Sequence, residues 1–194
     1  MTENKNFQEK TDEELAFLAL ADQDYFLYLM RRYEGKLLAY ILRISSFSHD
    51  EAEDILQEVF IKIYENLNDF DTSLKFSSWA YRITHNQAIS HYRRAKARPQ
   101  SLPIDINDKI LANLSSDLDI EKKVEVDYLR KAIKNVLANL DIKYREVLVL
   151  KFLEERSYQE ISDILKKPMG TIATLINRAK KEFKEELDRQ KIKI

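Results

Sequence analysis

The 194-residue sequence has no cysteine, two glycines and three prolines, and each scarcity excludes something. Without cysteine there is neither a disulfide nor a thiolate metal site, a usage at home in the cytoplasm. So few glycines and prolines leave too little punctuation for a fold of many short strands and tight turns. No run of eighteen apolar residues occurs, so no membrane span is expected, and the amino-terminal MTENKNFQEK lacks the apolar core of a secretory signal. His49, His85 and His91 share no metal-ligand spacing. No Ser/His/Asp order, glycine-rich phosphate loop or isolated carboxylate pair stands out either. No metal, cofactor or enzymatic activity is expected, and each histidine is expected at the surface or partly packed.

What is present is charge and apolar periodicity. With 34% charged and 44% hydrophobic residues, the natural class is an all-α protein. The net charge of −1 conceals an asymmetry: residues 1–94 carry 11 Lys and Arg against 16 Asp and Glu, residues 121–194 carry 18 against 13. The basic end contains SYQEISDILKKPMGTIATLINRAKK. Ser157 and Glu160 form a capping box there, ahead of the apolar face Ile161, Ile164 and Leu165. Pro168 and Gly170 interrupt that helix. A second helix from about Thr171 buries Ile172, Ile176, Ala179, Phe183 and Leu187, leaving a polar and basic face outside. Two short helices joined by a tight turn describe a helix-turn-helix, a DNA-reading motif.

Upstream, Thr11 with Glu14 is a second capping box, opening a helix through about Ala21. Phe26, Leu29, Tyr33, Leu37, Ile41 and Ile44 then recur at helical spacing, with Gly35 as either a bend or a tolerated helix residue. Ser48 with Glu51 is a third box, before a helix with Ala52, Ile55, Leu56, Val59, Ile63 and Leu67 inside. A polar loop from Asn68 to Lys75 holds a lone aromatic, Phe70. Ser77 or Ser78 is expected to cap a helix from Trp79 that mixes aromatics with Arg82, Arg93, Arg94 and Lys96. Residues 97–118 show no convincing period and read as a flexible linker. A long helix through Val136 and Leu140 follows, then one capped by Asp141. The expectation is two small helical domains, 1–96 and 119–194, the second a four-helix unit.

Four blocks, in order, resemble the extracytoplasmic-function sigma factors of the sigma-70 family. They are Asp54-Ile55-Leu56-Gln57-Glu58-Val59-Phe60, Phe76 to Asn86, Tyr144-Arg145-Glu146-Val147, and the helix-turn-helix framework. The resemblance spans nearly the whole chain. It implies a transcription initiation factor that binds core RNA polymerase and promoter DNA, with an anti-sigma factor as a further partner. Asp54, Gln57, Glu58, Phe60 and Ile61 would form the polymerase-docking face. Phe70, Lys75, Phe76, Tyr81, Arg82, Asn86, Tyr92, Arg93 and Arg94 would bind and melt the −10 element, with Asn86 and the preceding loop holding a flipped base. Aromatics beside cations suit that task, since base stacking is worth ~1–3 kcal/mol per base. Thr171, Ala173, Thr174, Asn177, Arg178 and Lys181 would read the −35 element. The acidic linker residues Asp105, Asp108, Asp117 and Asp119 would lie along the path of template or transcript.

Each set also has a plainer reading, as a solvated helix face or, for Phe76, Trp79 and Ile83, as core. Where the family carries two cations, this chain has Ala173 and Leu175. Either this end reads thymine methyls and base edges, or it binds weakly and relies on polymerase. A helix-turn-helix regulator acting without polymerase, and a degenerate sigma-like chain that sequesters polymerase or an anti-sigma factor, are the alternatives. The opposed charges of the two halves also suggest that they pack together, acidic first half against basic second.

Overall fold

The computed structural model describes residues 7–45, 47–95, 108–118 and 126–190. Among these there is no strand. The elements are α1 (Asp12–Ala19), α2 (Gln23–Ile44), α3 (His49–Glu65), a 3-10 turn (Leu67–Asp69), α4 (Phe76–Ala95), α5 (Asp108–Leu118), α6 (Val126–Asn139), α7 (Ile142–Leu148) running into a wide π turn (Val149–Leu153), α8 (Tyr158–Leu165) and α9 (Met169–Arg189).

All three capping boxes form. Thr11, Ser48 and Ser157 each accept from the N–H three residues on, and Glu14, Glu51 and Glu160 each accept from the cap residue's own N–H. A cap of this kind is worth ~1 kcal/mol to the start of its helix. Asp141 caps α7 by accepting from the N–H of Lys143. Helix α2 runs unbroken through Gly35, which therefore marks no helix end.

Three boundaries differ from the expectation, each for a local or non-local reason. Helix α4 starts at Phe76, so Ser77 and Ser78 lie inside it and cap nothing. Its first N–H donates instead to Glu13 of α1, at 2.8 Å, a partner sixty-three residues away. Helix α9 starts at Met169, directly after Pro168, and the turn before it is closed by Lys166 in the left-handed region at φ 52° and by Ser162 donating to the Lys167 carbonyl at 2.6 Å. Within 97–118, where no period is legible, α5 forms and buries Leu111 and Leu114. It lies against the π turn, and Asp117 pairs with Lys180 of α9. The expected acidic positions Asp105 and Asp119, and Lys96, fall outside the described residues.

Helices α1–α4 make the first domain. Helix α2 packs on both α1 and α3, and α3 on α4. Helices α6–α9 make the second, with α9 lying along α7 and also meeting α6 and α8. The two domains are in contact: α4 lies along α8, and α2 reaches α7 and the π turn. The sense of the charges there is opposite to what the bulk asymmetry suggests. Cations of the acidic first domain meet carboxylates of the basic second: Arg43 with Glu154 at 2.7 Å and Lys75 with Glu160 at 3.2 Å. Local complementarity, not net charge, sets such a contact.

Candidate nucleic-acid and protein interfaces

The first surface is an apolar groove between α2 and α3. Phe26, Leu27, Met30, Leu56, Phe60, Ile61 and Tyr64 line it, with Gln23, Arg31, Glu34 and Gln57 at its rim. Leu27, Ile61 and Tyr64 are 49, 57 and 42% exposed, a concentration of large apolar side chains that a solvated face does not need. Of the expected docking residues, Gln57, Phe60 and Ile61 are brought together here. Phe60 is nearly buried and forms the floor. Asp54 is exposed but outside the groove lining. Glu58 turns toward α4, where it accepts from Gln87 and from His91 Nε2 at 2.9 Å, with Lys62 donating to Gln87 at 2.5 Å. The His91 hydrogen bond chiefly holds the Glu58 carboxyl below its ordinary pKa. Glu58 thus ties α3 to α4 and is not presented beside Ile61. Leu27, Met30 and Tyr64 escaped the sequence reading. Leu27 stands off the apolar stripe of α2, and that offset is the signal that could have found it.

The second surface is α4 and the loop before it. Lys75, Asn86, Arg93 and Arg94 are exposed, and Arg82 and Tyr92 are half-buried. The expected stacking platforms are placed otherwise. Phe70 and Phe76 are buried in an aromatic cluster with Trp79 and Tyr33, with ring centroids 5.1 to 5.7 Å apart. Edge-on packing of rings at this distance is favourable in itself, and no open face is left for a base. As placed, Phe70 and Phe76 therefore support the loop from beneath, and Trp79 is core.

Tyr81, 1% exposed, sits where the domains meet. Its hydroxyl donates to Glu154 Oε2 at 2.7 Å, its ring packs 5.1 Å from Tyr40, and the Arg156 guanidinium lies 4.1 Å above it. Burial pushes the Tyr81 phenol well above its ordinary pKa, so it stays a donor. His85 is buried beside it, contrary to a surface placement. Its Nδ1 is 3.1 Å from the Tyr40 hydroxyl and its Nε2 3.6 Å from Glu146 Oε2. Burial, aided by Lys167 and Arg93, pushes His85 down to about 4, whereas burial pushes Glu146 up to about 7. Arg145, also buried, donates to the Ala138 and Leu140 carbonyls at 2.8 and 3.1 Å and to that of Ile44 across the interface at 3.4 Å.

The third surface is the outer face of α9. Thr171, Thr174, Asn177, Arg178 and Lys181 are exposed together, opposite the buried stripe Ile172, Ile176, Ala179, Phe183 and Leu187. The Thr174 hydroxyl donates to the Gly170 carbonyl at 2.9 Å. Ala173 is half-buried, and Leu175 packs against the hydrophobic core. One of the two missing cations is thus replaced by a packing residue. The cluster His49, Asp50 and Glu53, the group of potential metal ligands among the described residues, is wholly exposed at the start of α3. The positive end of that helix opposes a cation there.

Comparison with known proteins bears on both domains. Residues 29–98 match the family model of sigma-70 region 2, and residues 130–183 that of sigma-70 region 4. The chain is 35% identical to the ECF RNA polymerase sigma factor SigW of Bacillus subtilis (strain 168), over 86% of this chain and 90% of that one. It is 30% identical to the RNA polymerase sigma-H factor of Pseudomonas aeruginosa, over 93 and 95%. Among solved structures, CnrH in complex with the cytosolic domain of CnrY shares the fold, with a TM-score of 0.67 and 24% identity over 93% of this chain and 99% of that one. So does the sigma factor RpoE in complex with the anti-sigma factor NepR from Bartonella quintana, with a TM-score of 0.62 and 22% identity over 84 and 96%. Among the described residues, no helix is long and apolar enough to cross a membrane.

Proposed function

The chain belongs to the extracytoplasmic-function RNA polymerase sigma factors of the sigma-70 family, which direct transcription initiation and are not enzymes, and on that premise we propose how its surfaces divide the work. Residues 1–96 dock on core polymerase and handle the −10 element, 97–118 connect, and 119–194 read the −35 element. The α2–α3 groove is the docking face. Ile61, Leu27 and Tyr64 are its apolar anchors and Gln57 its polar rim, the arrangement by which a groove takes a helix of its partner. Asp54 and Glu58 contribute at its margin or through α4.

On α4, Lys75, Arg82, Asn86, Arg93 and Arg94 take the phosphates and a base of the unpaired −10 strand and Tyr92 adds a ring face, while Tyr81 supports α4 from the domain interface and Phe70 and Phe76 shape the loop. On α9, Thr171, Ala173, Thr174 and Asn177 meet base edges while Arg178 and Lys181 hold the backbone. An anti-sigma factor is a further proposed partner, as for the RpoE relative solved with NepR. Since polymerase and chromosome are its partners, the cytoplasm is its proposed location.

The observation that carries this reading is the open apolar groove. A regulator acting on DNA alone has no use for Leu27, Ile61 and Tyr64 at the surface. Run-off transcription with purified core polymerase and genomic promoter fragments tests it. Start sites that depend on the added chain are expected; core binding without any such start site would favour the sequestering alternative.

A further inference from the structure

Helix α1 lies ahead of the stretch that matches sigma-70 region 2, which begins at residue 29, and none of the three surfaces is built from it. Its two neighbouring carboxylates face different helices. Asp12 pins α1 to α2 by accepting from the Arg32 guanidinium and from the Tyr33 hydroxyl. Glu13 reaches α4, where its Oε1 accepts from the Phe76 N–H at 2.8 Å. That N–H opens α4 and has no partner within its own helix. A carboxylate is a strong acceptor at such a place, since the positive end of a helix favours negative charge.

Phe76 is the junction between the loop and α4, and its ring is held from two more sides. It meets Tyr33 edge-on at 5.3 Å, the same tyrosine whose hydroxyl binds Asp12, and it meets Phe70 at 5.5 Å. Phe70 and Phe76 are the two ends of a segment whose Thr72, Ser73, Leu74 and Lys75 are all exposed. Within it the Asp71 side chain accepts from the Ser73 N–H at 2.9 Å and the Asp71 carbonyl from the Leu74 N–H at 3.0 Å. The segment is a short turn on a fixed base. Beside it α1 does not pack down, for an open cleft lined by Lys10, Glu14, Phe17, Leu18 and Thr72 runs between them. Apolar packing against α1 therefore does not place the turn; the Glu13 bond ties its end.

We propose that Glu13 is a positioning residue for strand capture: by holding the Phe76 N–H it fixes the end of the 70–75 loop, so that the loop meets an unpaired −10 base already formed. The proposal rests on the assignment of that loop and Asn86 to base holding made above. Glu13 itself touches no DNA and acts through Phe76. A loop that must be ordered at the moment of binding loses affinity in proportion to the fraction of time it is formed. A hydrogen bond to a charged acceptor is strong enough for its loss to cut that fraction about tenfold.

The test uses holoenzyme formed with the full chain and a single strand spanning the −10 element of a promoter found by the run-off assay. Abasic sites placed singly along the strand locate the captured base. In wild-type holoenzyme one such site is expected to weaken binding about tenfold. Glu13→Ala should weaken binding of the intact strand about tenfold and lose the abasic penalty, because no formed loop is left to hold the base. A general loss of stability would instead weaken every strand alike and keep the penalty. Glu13→Gln retains a carbonyl oxygen for the Phe76 N–H and should restore both the affinity and the penalty. Glu13→Asp, which keeps the charge and shortens the reach, repeats the alanine test should Glu13→Ala lose its helical circular dichroism. In the free chain, hydrogen exchange at the Phe76 amide should be faster in Glu13→Ala than in the wild type or Glu13→Gln. An undiminished abasic penalty in Glu13→Ala, no rescue by Glu13→Gln, or unaltered exchange at Phe76 each overturns the positioning role while leaving the loop's assignment standing. A wild type with no abasic penalty at any position overturns both, so the two failures are told apart.

Discussion

Ile61 and Ile63 stand two residues apart on α3 and are expected to fail in opposite ways when cut to alanine. Ile63 is 1% exposed and faces the core, whereas Ile61 is 57% exposed at the groove. Fully burying an isoleucine is worth ~1.5–3 kcal/mol, so docking that covers the exposed portion of Ile61 gains about 1–1.5 kcal/mol from it. Ile61→Ala should therefore weaken core polymerase binding roughly five- to fifteenfold. Its effect on folding should stay under ~0.5 kcal/mol, because alanine is also the better helix former at an exposed site. Ile63→Ala should remove ~2–5 kcal/mol of stability through lost burial and the cavity left behind. Anisotropy titration of the labelled full chain with core polymerase, beside urea denaturation of both variants, separates the two. Wild-type affinity in Ile61→Ala, or a loss of stability equal to that of Ile63→Ala, would refute the groove as the docking face.

Three further perturbations address the other surfaces. Thr174→Glu places a carboxylate on the exposed face of α9 and should abolish protection of the −35 duplex in footprinting while leaving the melting curve unchanged; retained protection removes Thr174 from the interface. Arg178→Ala should flatten the salt dependence of duplex binding by ~0.9 in log–log slope, and an unaltered slope means it contacts no phosphate. Ser157→Ala breaks the capping box of α8 and should cost ~1 kcal/mol in denaturant unfolding, with no loss if the cap is replaced by solvent.

The buried His85 and Glu146 should oppose each other in pH. His85 titrates near 4 in the fold and 6.5 unfolded, so the unfolded chain holds the extra proton between them and His85 favours folding more as pH rises through that window. Glu146 titrates near 7 in the fold and 4.5 unfolded, so its contribution falls as pH rises from 4.5 to 7. Relative to wild type, Glu146→Gln should gain stability with rising pH between 4.5 and 6.5, and His85→Gln should lose it. Urea midpoints at half-unit pH steps read both slopes; equal slopes in the two variants would contradict the burial assigned to one of them.

The amino-acid sequence by itself determined the helices other than α5, their three capping boxes, the apolar stripes of α2, α3, α8 and α9, and the outward face of the helix-turn-helix. All of these are set within a few residues of chain, where side-chain periodicity and short-range hydrogen bonds speak directly. The four ordered motif blocks carried the family for the same reason. Tertiary structure alone decided what depends on a distant partner. Helix α4 begins at Phe76 because Glu13 of α1 meets its first N–H, and α5 forms where its two leucines find the π turn. Glu58 faces α4 because Gln87 and His91 stand opposite it. Tyr81, an aromatic among cations and so an apparent open platform, is closed by Glu154 and Arg156 more than seventy residues away, a burial that no local pattern encodes.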